Sequence, residues 1–333
     1  MPSWMDSHMK ENVLASETQT GAPAFGRGRS WAQVMERYGI LVVFMLLVAA
    51  SALLSPVFLR PANILNVLRQ ISITGVIALG MTFVILTAGI DLSVGSVVAL
   101  VTVLAASFQR LGLVPVLLLG LAVGSAMGLI NGVGIAMGRI SPLIMTLAMM
   151  YMGRGLAFMY SGGLPIYGIR PAFIQFGNGF TVGIPNSVLY FVVLLILSIA
   201  VLRFTAFGRF VLAVGSNEEA ARLAGVRVSR VKVQVYVLSG LFSGFAGLVY
   251  AGQLGIGVAL AGLGYELSAI AAVVIGGTSL FGGQGSVFGT FLGAAIVGVT
   301  NNLLNLMGID PLVQDFMKGL IILAAVLINR RRT

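Results

Sequence analysis

The densest chemistry in this 333-residue chain is a polar island between two long apolar runs, Gly215-Ser216-Asn217-Glu218-Glu219-Ala220-Ala221-Arg222-Leu223-Ala224-Gly225. Its residue types suit docking better than catalysis. Ser216 followed three residues later by Glu219 has the spacing of a capping box, in which a hydroxyl and a carboxylate satisfy the free amides at a helix start. Glu218 and Glu219 lie where the helix dipole favours negative charge. Ala220, Leu223 and Ala224 then fall at i, i+3 and i+4 and make one small apolar face, and Gly225 is a natural stop. Two turns are too short to persist alone in water, so the helix over 216–224 needs a surface to rest on. The plainer reading is a connector in which Glu219 merely caps.

The remaining candidates are few. Asp91, with Ser93 beside it, lies between two apolar runs and reads either as the N-cap of the next helix or as a gate or polar pore group, since charge inside a membrane is costly. Glu266 reads as a cap for the run that follows it, and Asp310 with Asp315 brackets a late turn. Arg154 and Lys318 fall in or near apolar runs, where such side chains snorkel or pair more often than they bind substrate. Asn131, Asn301, Asn302 and Asn305 could line a polar path or bond between helices. A phosphate-binding G-x-x-x-x-G-K-[ST] motif is absent, because no Gly-Lys pair occurs. The sole histidine, His8, sits in a polar tail and cysteine is absent, so no histidine-based metal site, triad or disulfide is expected.

The elements that carry these residues are set by composition. Hydrophobic residues make up 58 % and charged residues 9 %, with a mean hydropathy of +1.02. Soluble domains carry roughly 25 % charged residues, so the chain reads as an integral membrane protein. Its apolar runs lack polar alternation and read as helices, not barrel strands, and its 44 glycines suit close helix approach in lipid. The fold class expected is an all-α polytopic membrane protein of about ten spans, at 39–58, 70–90, 92–108, 113–136, 143–161, 188–204, 233–252, 267–281, 286–305 and 313–329. With both termini cytoplasmic, fourteen Lys and Arg fall inside. Only Arg60, Arg69, Arg110 and Arg170 fall outside, as the positive-inside rule requires. The same bias accounts for the net charge of +10 without nucleic acid. Residues 1–37 read as a disordered cytoplasmic tail and 38–333 as the transmembrane domain. Within it, about 205–232 is a cytoplasmic loop and about 162–187 is the longest outer loop, placed to cover the outer mouth or receive a partner. Gly95-Ser96-Val97 and Gly285-Ser286-Val287 form a weak internal echo at the start of two runs.

Three separated motifs carry a resemblance. They are Gly80-Met81-Thr82-Phe83-Val84-Ile85-Leu86-Thr87-Ala88-Gly89-Ile90-Asp91-Leu92-Ser93-Val94-Gly95-Ser96, the run Ala213 to Val226, and Ile275-Gly276-Gly277-Thr278-Ser279-Leu280-Phe281-Gly282-Gly283 continuing through Gly285-Ser286-Val287-Phe288-Gly289-Thr290. In this order, from about residue 38 to the end, the chain resembles the ribose-type ABC sugar importer permeases. The resemblance implies a non-catalytic subunit of the bacterial inner membrane. It implies as partners a cytosolic P-loop ATPase, which carries the ATP and Mg, an extracytoplasmic sugar-binding protein, and a second permease copy or paralogue. It further implies that Glu219, Ala220, Ala221 and Gly225, with Ser216 and Glu218, dock on the ATPase. The Ile-x-Leu-Pro ending of the longer docking motif is missing from Val226 to Gln234.

The function expected is import of a monosaccharide or sugar-like solute by alternating access. Asp91, Ser93, Asn131, Arg154, Asn301 and Asn302 are the pore or gate candidates. A secondary transporter or facilitator would need no ATPase, and an intramembrane enzyme would need paired catalytic groups that the sequence does not offer.

Overall fold

The computed structural model describes residues 31–310, 312–314, 316–317 and 319–320, with side chains from residue 39. His8, Asp315, Lys318 and the tail before residue 31 lie outside the described residues, as does the last expected span from residue 321 on. The chain divides into two units, Met1–Gly39 and Ile40–Thr333. Helix α1 (Trp31–Leu54) begins before the boundary expected at residue 38.

The described residues of the second unit are predominantly helical. They run α2 (Pro61–Leu86), α3 (Val94–Phe108) with a 3-10 turn at Gln109–Leu111, α4 (Leu113–Ala136) and α5 (Pro142–Ser161). After the long loop over 162–185 come α7 (Asn186–Phe204), α8 (Ala206–Ser216), α9 (Glu218–Leu223), α10 (Val228–Leu254), α11 (Tyr265–Ile275) and α12 (Val287–Leu306). That long loop contains α6 (Pro171–Asn178) and a two-stranded hairpin. Among the described residues seven helices are long and apolar enough to span a bilayer, and Gly39–Leu54, Ala206–Ser216 and Tyr265–Ile275 are shorter apolar helices. Proline starts α2, α5 and α6 in the first turn, where its missing amide costs no helical bond.

The layering follows from hydrophobicity. Helix α2 is apolar on all sides from Ile71 to Leu86 and is buried on most of them, as such a helix must be. It and α10 form the centre. On α4 the glycines Gly120, Gly124, Gly128 and Gly132 repeat every four residues and so share one face. That face rests on Leu248, on the Gly240 and Gly244 backbone, on the backbone of Tyr236, and on Val233 of antiparallel α10. Gly124 and Gly240 each touch the other's carbonyl oxygen, the close backbone approach that small residues permit in membranes.

The long loop between α5 and α7 is tied down. Phe180–Thr181 and Ile184–Pro185 pair antiparallel around Val182 and Gly183, both at positive φ (52° and 76°), as a tight two-residue hairpin demands. Ile166 and Gly257 exchange two backbone bonds of 2.9 Å, and Gly177 of α6 packs on the backbone of α10 at Val249 and Gln253.

The internal echo is not a shared cap. Ser286 accepts from the Gly289 amide at 3.3 Å to cap α12, whereas the Ser96 hydroxyl donates to Ser93 O at 2.8 Å inside the first turn of α3.

Candidate docking helix and the junction beneath it

The 205–232 segment is two helices and not a loose loop. Thr205 caps α8, its hydroxyl oxygen accepting from the Gly208 amide at 3.1 Å, and Phe207 stacks on Phe83 of α2 with ring centroids 6.2 Å apart. Helix α9 starts one residue later than the capping-box spacing predicts. Asn217 is the cap, its Oδ1 accepting from the Ala220 amide at 2.9 Å. Ser216 is instead the last residue of α8 and donates its hydroxyl to Leu212 O at 2.9 Å. Serine and asparagine are comparable caps, and the serine is already engaged by the preceding helix.

Glu218 and Glu219 occupy the first turn of α9 and Arg222 the last, each sign complementing the helix dipole. Arg222 reaches both carboxylates, at 3.1 Å to Glu218 and 3.3 Å to Glu219. These pairs are exposed and stabilise little. Lys232 near the start of α10 is less exposed and meets Glu218 at 2.6 Å. Gly225 ends the helix at φ +84°, with its amide bonded to Arg222 O and the Val226 amide to Ala221 O, both at 3.0 Å. Ala221 is buried against the bundle, while Glu219, Ala220, Leu223, Ala224 and Gly225 are exposed. Leu223 is 82 % exposed, so the small apolar face points away from the protein. Beside α9 opens a cleft of about 640 Å³ whose lining includes Arg139, Ser141, Glu218, Arg222 and Lys232.

Beneath α9 the three sequence motifs meet. The Gly283 amide donates to Leu86 O at 3.0 Å, and Gly215 lies against both atoms with no room for a Cβ. Gly282 packs on the Gly215 carbonyl and on Ala88, and Gly283 on Ser216. The end of α2, the end of α8 and the loop before α12 therefore share one backbone contact.

Five residues past Leu86 the α2–α3 connector enters a buried polar cluster. Asp91 Oδ1 accepts from the Ser93 amide at 3.0 Å and from the Ser93 hydroxyl at 2.6 Å. Its Oδ2 accepts from Ser239 of α10 at 2.8 Å, and Asn131 of α4 donates to Ser93 Oγ at 2.9 Å. Asp91, Ser93, Asn131 and Ser239 are all essentially inaccessible. The Asp91 carboxylate thus closes the turn ahead of α3, whose N-cap is Ser93 with no side-chain cap bond. Ile90 O accepts from Tyr236 at 3.3 Å. Lys232, Tyr236 and Ser239 stand at i, i+4 and i+7 on α10, so one helical face links Glu218 of α9 to the Asp91 turn.

The other pore or gate candidates lie elsewhere. Arg154 donates from Nη1 to Ala259 O and Ala261 O, both at 2.8 Å. Asn302 and Asn63 exchange amide bonds of 2.8 and 3.0 Å, tying α12 to α2. Asn301 lines a small crevice with Ser268 and Thr300. Of the six candidates the structure groups only Asp91, Ser93 and Asn131. Asn217, Lys232, Tyr236 and Ser239, which local spacing did not single out, complete the two arrangements.

Asp91→Ala should be markedly less stable than Asp91→Asn. Alanine strands three buried donors, and each unsatisfied buried group costs about 1–3 kcal/mol. Thermal unfolding in detergent checks this; equal midpoints for the two variants would remove the carboxylate from any structural account.

Residues 63–326 match the family described as branched-chain amino acid transport system permease components. This chain belongs to that permease family. It is 46 % identical over 304 residues to the ribose import permease protein RbsC of Bacillus subtilis (strain 168), which covers 90 % of this chain and 94 % of that one. RbsC of Haemophilus influenzae is 43 % identical over 86 % of this chain and 90 % of its own length. The L-arabinose ABC transporter permease protein AraH of Azospirillum brasilense is 41 % identical over 93 % of this chain and 92 % of its own. No solved structure matches the chain.

Proposed function

We propose that this permease is the membrane subunit of an ATP-driven importer that moves a pentose or similar monosaccharide into the cytoplasm by alternating access. The observation that carries this reading is the outward-turned face of α9. A six-residue helix exposing Ala220, Leu223 and Ala224, capped by Asn217 and pinned to α10 through Glu218 and Lys232, has the form of a site that a second protein grips. In the orientation that places most basic residues inside, that second protein is cytosolic and is a P-loop ATPase with its own ATP and Mg. The Arg139, Arg222 and Lys232 side of the cleft suits an acidic element of such a partner. The ribose and arabinose names of the relatives support a pentose as cargo. An extracytoplasmic binding protein supplies it over the outer loop, and a second permease, identical or paralogous, completes the pathway in the bacterial inner membrane.

Ten spans fit this reading. The seven long helices are joined by Gly39–Leu54, by the short Tyr265–Ile275 together with the loop that leads into it, and by the expected span at 313–329. Helix α8 has comparable length but belongs to the cytoplasmic segment.

The stroke has a route. A pull on α9 reaches α10 through Glu218 and Lys232, and α10 holds the Asp91 turn through Ser239 and Tyr236. ATP and the sugar-bound partner must favour different states for any such cycle to be driven.

The decisive experiment is purification of the tagged chain from its native membranes in mild detergent, followed by reconstitution and measurement of D-ribose and L-arabinose uptake. Recovery of a P-loop ATPase and uptake only with ATP are the expected results. Sugar uptake by the chain alone in ATP-free liposomes would replace the importer with a facilitator.

A further inference from the structure

Halfway through the bundle the first turns of α3 and α11 meet beside charged side chains that the coupling route does not use. Arg154 stands about twelve residues from the start of the 20-residue α5 and about seven from its end, so at ~1.5 Å per residue it lies roughly 10 Å or more from either surface. Its neighbour Gly153 packs on Ser96, near the start of α3. Its guanidinium holds Ala259 O and Ala261 O, so the α10–α11 loop dips to the same depth. Helix α11 begins there and is 11 residues long, about half of what a ~30 Å hydrocarbon core requires.

Glu266 sits in the first turn of α11. Its Oε1 accepts from the Gly264 amide at 3.2 Å, while its Oε2 is buried without a partner, directly against Gly95 of α3. Arg154 and Glu266 attract one another, yet no ion pair within 4.0 Å joins them among the described residues. The surface around them is open and apolar, with Leu260 57 %, Leu263 69 % and Leu267 50 % exposed, and Glu266 itself is partly exposed. A carboxylate at this depth with one oxygen unpartnered is costly unless some group meets it during the transport cycle.

We propose that Glu266 and Arg154 are the permease's own contact for the passing sugar, an inference that rests on the importer reading. A neutral polyol offers hydroxyls that both donate and accept. The Glu266 carboxylate accepts from them, and the Arg154 guanidinium, whose Nη1 alone is engaged by carbonyls, donates to them from its remaining N–H groups. Gly95 closes over Oε2 in this conformation. Parting of the first turns of α3 and α11 frees that oxygen, so the contact forms only while the path is open at this level.

The test uses the whole importer in proteoliposomes, with Glu266→Gln and Arg154→Lys each compared with wild type for D-ribose taken up per ATP hydrolysed. Losing a charged hydrogen-bond partner of the cargo should lower that ratio about tenfold. A purely structural role would lower uptake and hydrolysis together. As a direct readout, Leu263→Cys gives the chain its only cysteine. D-ribose-bound binding protein with ATP should slow its N-ethylmaleimide labelling, and this protection should vanish when Glu266→Gln is added. The proposal is overturned if both ratios stay within about twofold of wild type, if uptake and hydrolysis fall in parallel, or if protection persists in the double variant. Absence of ATP-dependent pentose uptake by wild type would instead overturn the importer reading itself.

Discussion

Gly215→Val should abolish ATP-driven uptake while leaving the chain in the membrane. A Cβ at this position would overlap the Leu86 carbonyl and the Gly283 amide, two atoms that are bonded to each other at 3.0 Å. Neither is the movable end of a side chain, so the ends of α2 and α8 must separate. Forced overpacking of this kind costs about 1–3 kcal/mol, which the buried remainder of α2 can absorb without unfolding. The break falls where the docking segment, the Asp91 connector and the α11–α12 loop touch, so motion of α9 no longer reaches the bundle in register. Gly155→Val is the matched control, since nothing lies within 4 Å of a Cβ there. Uptake and ATP hydrolysis by reconstituted complexes decide the matter. Transport by Gly215→Val at the rate of the Gly155 control would refute the junction as a transmitting contact.

The second large effect belongs to Gly225. Its φ of +84° costs a branched or bulky residue about 1–2 kcal/mol, but no atom lies within 4 Å of a Cβ built there. Gly225→Leu therefore folds and projects a side chain from the surface that carries Ala220, Leu223 and Ala224. A central contact of a protein interface is worth ~2 kcal/mol or more, which corresponds to roughly thirtyfold in affinity. The expected outcome is loss of the co-purifying ATPase and of coupled uptake at a normal level of permease. Gly225→Asn separates the two causes, because asparagine tolerates the left-handed conformation and is smaller. It should bind the ATPase better than Gly225→Leu. Equal recovery of ATPase by wild type and Gly225→Leu would remove Gly225 from the docking surface.

What the sequence disclosed depended on how local the determinant was. The termination of α9 at Gly225 and the composition of its outer face are properties of eleven consecutive residues and could be read there. The position of the cap could not, because Ser216 and Asn217 are equally suitable and only the continuation of α8 through Ser216 decides between them. Helix α8 was hidden for a related reason: eleven mostly apolar residues are too few to read as a span and merge with the polar segment that follows them. The spacing of Gly120, Gly124, Gly128 and Gly132 stands in the sequence, but its partner on α10 lies more than a hundred residues away. The meeting of Leu86, Gly215 and Gly283 is the least local feature, and the three motifs marked its parts without marking that they touch. Glu266 looked like a cap and does reach back to the Gly264 amide. Its second oxygen, lying against Gly95, is a tertiary fact.

The glycine face between α4 and α10 constrains how the protein can move. Where side chains interleave, two helices can slide by exchanging rotamers. Here backbone rests on backbone over more than three turns, and neither helix can rotate without driving a carbonyl into its neighbour. The pair behaves as one stiff stave that tilts as a whole. Change of shape is then confined to the places where chain is short or turning: the α2–α3 connector, the loop before α11 and the loop before α12. Each of these touches a site described above, so a tilt of the stave of even a few degrees alters the docking surface and the middle of the path at the same instant.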